Sequence, residues 1–231
     1  MSWLVASAER TDVAAIREAS PERWRELRRF NAPVQLAVAA AHDVAAHARA
    51  AAELAIVSLA PCHQGSPELD RWIELFGTGA SCRVNPTHTL HAVDNLALSV
   101  ISIALGARGW ALSLGGAAGM IWTALELVGE RDEREVLVLA GDQDASSAPA
   151  SAIGVALLFS RERPASGRAI RLTSVERRRA PTQSSPTPHA AAGARALLAA
   201  LLAGPSGAFT YVVPAAHGDG VDDFAISWEL G

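Results

Sequence analysis

The chain has 231 residues, half of them hydrophobic, with a formal net charge of −4 and two cysteines. This suits one globular domain over residues 1–231 with a sizeable core. The acidic balance argues against a general pull toward nucleic acid, and Cys62 and Cys82 lack the spacing of a disulfide scaffold or zinc site.

The opening "MSWLVASAER" is a short apolar run with no basic leader and no cleavage-site pattern, so no signal peptide is expected. No charge-free apolar run of about eighteen residues follows, so the chain is expected to be cytoplasmic, without membrane insertion. Ser20-Pro21-Glu22 caps an Arg- and Ala-rich helical stretch over 21–50, broken near Asn31 and Pro33. "ELAIVSLA" (53–60) has the continuous apolar run of a buried strand, and "SPELDRWIELFG" (66–77) reads as a short helix.

Residues 85–109 open with a turn, turn helical from about Thr89 to Leu105, and stop at Gly106. "WALSL" (110–114) is then a strand and "AGMIWTALELV" (118–128) a helix with an apolar stripe. Strands follow at 135–143 and 151–162. The segment 163–188 holds Pro164, Pro181, Pro186, Pro188 and the basic run "VERRRA", and is expected to be a loop. A helix over 189–203 and strands at 208–215 and 223–230 close the chain. The alternation predicts an α/β fold, with helices covering a mixed sheet.

A "NP" turn, an Asn-bearing helix, a Gly-Ala-Arg-Gly turn, a short strand, the small-residue run "GGAAG", a helix and "VLVLAG" follow one another in order. This resembles the N-terminal half of β-ketoacyl synthases, over about residues 27–160. Asn95, Gly106, Arg108, Gly109, Ala117 and Ala124 fall in place without a gap. The resemblance implies a truncated thiolase-like fold. It looks more specifically like the ketosynthase-like N-terminal domain proteins that stand beside polyketide and aryl polyene gene sets, which implies a chain-length-factor-like role.

Two departures from the family matter. Ala118 stands where the family carries its nucleophilic cysteine, and a methyl group cannot attack a thioester. A full condensing enzyme is nearly twice as long and brings two catalytic histidines in its second half; His217 in "AAHGDG" is read as a turn residue rather than one of them. The resemblance therefore implies a non-catalytic subunit that pairs with an active ketosynthase, and it admits an acyl carrier protein as a further partner. Trp110, Ala111, Leu112, Ser113 and Leu114 become the candidate partner interface, and His88, Leu90 and His91 candidates for lining an acyl tunnel.

No cofactor or metal is expected. His42 and His47 lie five apart, not the three or four that place ligands on one helix face. Cys62 and His63 are adjacent on an extended chain and point apart. "AGDQDASS" (140–147) reads as a solvated turn and "VERRRA" as a solvated loop. Two rival functions remain open: an acyl-thioester hydrolase using Asp142 or Asp144 with a histidine, and a homodimeric scaffold that docks acyl carriers.

Overall fold

The computed structural model describes residues 2–59, 74, 77, 95–115, 120–130, 132–144, 151–164, 170–180, 190–203, 206–214 and 221–230. Eight strands form one mixed sheet in the order β3-β2-β4-β5-β1-β6-β8-β7. They are β1 (Ser2–Arg10), β2 (Ala55–Leu59), β3 (Ala111–Leu114), β4 (Glu135–Asp144), β5 (Ser151–Ser160), β6 (Ile170–Ala180), β7 (Ser206–Pro214) and β8 (Val221–Leu230). β2 runs parallel to β3 and β4. Every other pairing is antiparallel.

The described helices are α1 (Val13–Ala19), α2 (Pro21–Leu27), α3 (Ala32–Ala45), α4 (Leu96–Leu105), α5 (Met120–Glu130) and α6 (Ala190–Ala203). Asn31 breaks the first helical stretch and caps α3 by accepting the Val34 N–H at 3.3 Å, with Pro33 in the first turn where no N–H is needed. α3 and α4 cover one face of the sheet, packing Val38, Ala41 and Ile101 on Ile56, Leu137, Leu139 and Leu158. α5 and α6 cover the other, with Trp122, Leu125, Leu197 and Leu201 on Val57, Val138, Leu157 and Phe159. Helices on both faces explain why β2, β4 and β5 are continuous apolar runs instead of alternating ones.

One close approach seats α3. Gly141 and Gly154 are opposite one another on β4 and β5. A Cβ on Gly154 would lie 2.2 Å from the Leu36 carbonyl carbon, and one on Gly141 would lie 2.5 Å from the Pro33 oxygen. The helix backbone rests directly on a bare glycine pair.

Three expectations are corrected. "SWLVASAER", by its sequence only a short apolar run, is β1, inserted between β5 and β6. The segment expected as a loop over 163–188 contains β6, whose ladder with β8 runs from Ile170↔Leu230 to Ala180↔Val221. "VERRRA" is therefore strand, with Arg178 and Arg179 in register opposite Asp223 and Asp222. Asp142, read in a solvated turn, is buried at 3 % exposure. The β4–β5 ladder continues past it to Asp144↔Ser151. With β6, the C-terminal helix and strands extend the same sheet.

Candidate functional site

The edge strand β3 is the part of the predicted site that the structure describes. The Gly-Ala-Arg-Gly turn delivers it there. Gly106 ends α4 in the left-handed region at φ 62°, where a side chain would be strained. Its N–H bonds the Ile103 carbonyl at 3.1 Å and the Ala107 N–H bonds that of Ser102 at 2.9 Å, the paired closure of a Schellman cap. The Arg108 N–H then donates to the Ala52 carbonyl at 2.8 Å, tying the turn to the chain that leads into β2. A Cβ on Gly109 would stand 2.2 Å from the Leu54 oxygen, so only glycine passes this point.

β3 pairs on one side alone among the described residues. Its register on β2 runs from Ile56↔Ala111 to Leu59↔Leu114, and the Ile56 N–H donates to the Trp110 carbonyl at 2.8 Å. The N–H and C=O of one strand residue point the same way. Leu112 therefore turns its backbone groups toward β2, and Ala111 and Ser113 turn theirs to the open edge. Ala111 is exposed and Leu112, Ser113 and Leu114 are half-buried. Trp110 and Leu114 pack partly on the core beneath α5. An unpaired edge of this kind is a template for another strand.

The strand leads toward "GGAAG". Ala118 lies outside the described residues, as do His88, Leu90, His91, Cys62, Cys82, His63 and His217. After it, α5 buries Ile121, Trp122, Ala124, Leu125 and Val128 as one stripe. Asp142 sits opposite Ile153, which belongs to the core beneath α5 and α6. By alternation Asp142 and Asp144 share that face of β4. His42 and His47 belong to α3 and the turn after it, across the sheet, so neither is placed to pair with Asp142. Among the described residues no group of three or more His, Cys, Asp or Glu could hold a metal, and no helix is long and apolar enough to cross a membrane.

His42 is the described histidine with a shifted pKa. Burial, and then the Arg23 charge, lower it from its ordinary 6.5 against the opposing pull of Asp43 and Glu26. The folded chain thus holds fewer protons than the unfolded one, and stability rises with pH through this window. The contribution is complete above about pH 6.5 and is lost as pH falls toward the lower folded value. Urea midpoints at two pH values on either side of this window should converge in His42→Gln relative to the parent chain. Equal differences in both proteins would exclude His42 as the source.

No family model matches the sequence, and no curated protein matches it. Solved structures do match. A chain of the ishigamide ketosynthase/chain length factor aligns with a TM-score of 0.64 at 15% identity, over 94% of this chain and 85% of that one. A chain of the complex of ketosynthase ApeO with its chain length factor ApeC, from Xenorhabdus doucetiae, aligns with a TM-score of 0.59 at 17% identity, over 88% and 80%. The tetronic acid condensing enzyme AbyA1 aligns with a TM-score of 0.54 at 11% identity, over 99% and 100%. The fold is therefore ketosynthase-like, an α/β fold shared with chains of these ketosynthase–chain length factor structures. The likeness extends well beyond residues 27–160, because the alignments cover 94% and 99% of this chain.

Proposed function

We propose that this chain is a non-catalytic, chain-length-factor-like subunit that pairs with an active ketosynthase in polyketide or related acyl-chain biosynthesis, aryl polyenes included. The observation that carries the reading is the edge of β3 that is unpaired among the described residues, held at the sheet border by Gly106 and Gly109 and followed in sequence by Ala118. Pairing across that edge needs only backbone groups, so an alanine at the nucleophile position leaves assembly intact. The partner contributes the thiolate, and condensation uses an acyl carrier protein as donor.

His88, Leu90 and His91 line the shared acyl tunnel in this reading. Enlarging Leu90 to Trp is then expected to shorten the product chain made by the pair without dissociating it, as read by mass spectrometry of the released acids. Unchanged lengths would remove these residues from the tunnel.

The direct test is co-expression with a cysteine-bearing ketosynthase, followed by size-exclusion chromatography with light scattering. A one-to-one complex in which this 24.1 kDa chain alters product length is expected. Separate peaks and unaltered products would overturn the proposal.

The burial of Asp142 favours one second reading, a thioester hydrolase with that carboxylate as base. Acyl thioester turnover by the isolated chain, abolished in Asp142→Asn, would establish it. No turnover by the isolated chain is the result expected here.

A further inference from the structure

A second surface lies on the helical layer, apart from the sheet edge. A cleft of about 520 Å³ opens between α2, α3 and α4, with Leu27, Phe30, Val38 and Val100 as its apolar floor. Two features of its walls are unusual. α4, "LALSVISIAL", has no charged residue on any face. A helix apolar all round is ordinarily buried, yet Ile103 is 82 % exposed at the rim of this cleft and its neighbour Ala104 is exposed too.

The facing wall is basic. Of the charged residues that line it there, Arg23, Arg25 and Arg29 stand against Glu26, in a chain whose net charge is −4. Arg23 is spent on Asp43 at 3.5 Å, and the Arg29 guanidinium lies over the Phe30 ring at 4.9 Å. Arg25, exposed on the cleft wall, makes no ion pair among the described residues.

We infer that this cleft is a docking groove for an acidic amphipathic helix of a partner protein, whose apolar stripe covers Ile103 and the floor and whose carboxylates meet Arg25. Two helices framing an apolar trough give the geometry of helix-in-groove recognition. Charge complementarity selects the occupant: a basic wall steers acidic partners and rejects basic ones. A second copy of this chain is disfavoured, because a symmetric contact brings two arginine walls together. The inference does not rest on the ketosynthase reading, since the groove and the β3 edge share no residue.

The probe is a fluorescein-labelled helical peptide of sixteen residues with a leucine stripe flanked by glutamates, titrated with the full chain at low salt and read by anisotropy. A peptide with lysine in place of every glutamate is the control. Saturable binding of the acidic peptide alone is expected, weakened on the order of tenfold in Ile103→Asp and in Arg25→Glu. Arg25→Glu should in turn gain affinity for the lysine peptide, which a merely structural arginine would not give. Circular dichroism confirms that each variant is folded. Equal binding of the two peptides, or unchanged affinity in both variants, overturns the inference. So does an Ile103-dependent dimer in light scattering, which would assign the groove to a second copy. Tighter Ile103-dependent binding to phosphatidylglycerol vesicles than to the peptide would assign it to a lipid surface and likewise overturn it.

Discussion

Replacing Gly154 with alanine is expected to lower the melting temperature by about 6–12 °C. The added methyl carbon would meet the Leu36 carbonyl carbon at 2.2 Å, the Ala37 nitrogen at 2.3 Å and the Leu36 oxygen at 2.4 Å. These are backbone atoms of a helix whose side chains are buried from Pro33 to Ala41 and again at Val44 and Ala45, so no flexible end can swing aside. Relief requires α3 to lift from β5, which opens the packing of Ala37, Val38 and Ala41 on Leu137 and Leu158. Overpacking a core typically costs about 1–3 kcal/mol, and a rigid backbone neighbour puts this site at the upper end.

Gly129→Ala is the matched control. Nothing lies within 4 Å of a Cβ there, and the residue sits near the end of α5. Alanine in a helix is better than glycine by about 0.5–1 kcal/mol, so this variant should melt slightly higher than the parent. Opposite signs in the two melts would establish that the Gly141–Gly154 pair holds the helix by space rather than by backbone freedom. A Gly154→Ala melt equal to that of the parent would mean that α3 does not rest on β5 as described.

The glycines also mark how far the sequence could be read. Strands β2, β4 and β5 are legible because burial on both faces leaves uninterrupted Ile, Val and Leu. The break at Asn31 and the stop at Gly106 are legible because capping chemistry is local. β1 is not, since Ala6, Ser7 and Ala8 have weak strand preference and become strand only through partners far along the chain, Leu158 to Ala156. β6 is hidden for another reason. Ile170 and Leu172 alternate correctly, but the register shifts between Leu172 and Ser174, and the bulge throws Val175 out of the period. The arginines that follow then look like a charged loop. The burial of Asp142 depends on how far β5 continues its ladder, which no local pattern announces.

The site divides along the same line. The Gly-Ala-Arg-Gly turn was visible as spacing, but its meaning is geometric: one glycine closes α4 and the other clears the Leu54 backbone to place β3 at the sheet edge. The basic-walled cleft could not be read at all, because α2 and α4 stand about seventy residues apart in sequence and meet only in the fold.

If the chain pairs with a ketosynthase along β3, as proposed, Ser113→Pro should abolish that pairing while leaving the isolated chain folded. In the β2–β3 register the Ser113 N–H points to the open edge, so proline removes a group that β2 does not use. A strand docking there loses a donor, its own carbonyl is left buried and unbonded, and the pyrrolidine ring stands in its path. An orphaned buried acceptor alone costs about 1–3 kcal/mol, and with the steric clash the complex should weaken by at least about 100-fold. Leu112→Pro separates this from general damage to the strand. The Leu112 N–H faces β2, on the side where Ile56 already bonds Trp110, so its loss should lower the urea midpoint of the isolated chain. The expected pattern is therefore crossed: Ser113→Pro keeps the midpoint and loses the partner, whereas Leu112→Pro loses the midpoint first. A Ser113→Pro chain that still elutes one-to-one with the ketosynthase, with product length unchanged, would show that the partner does not bind along β3.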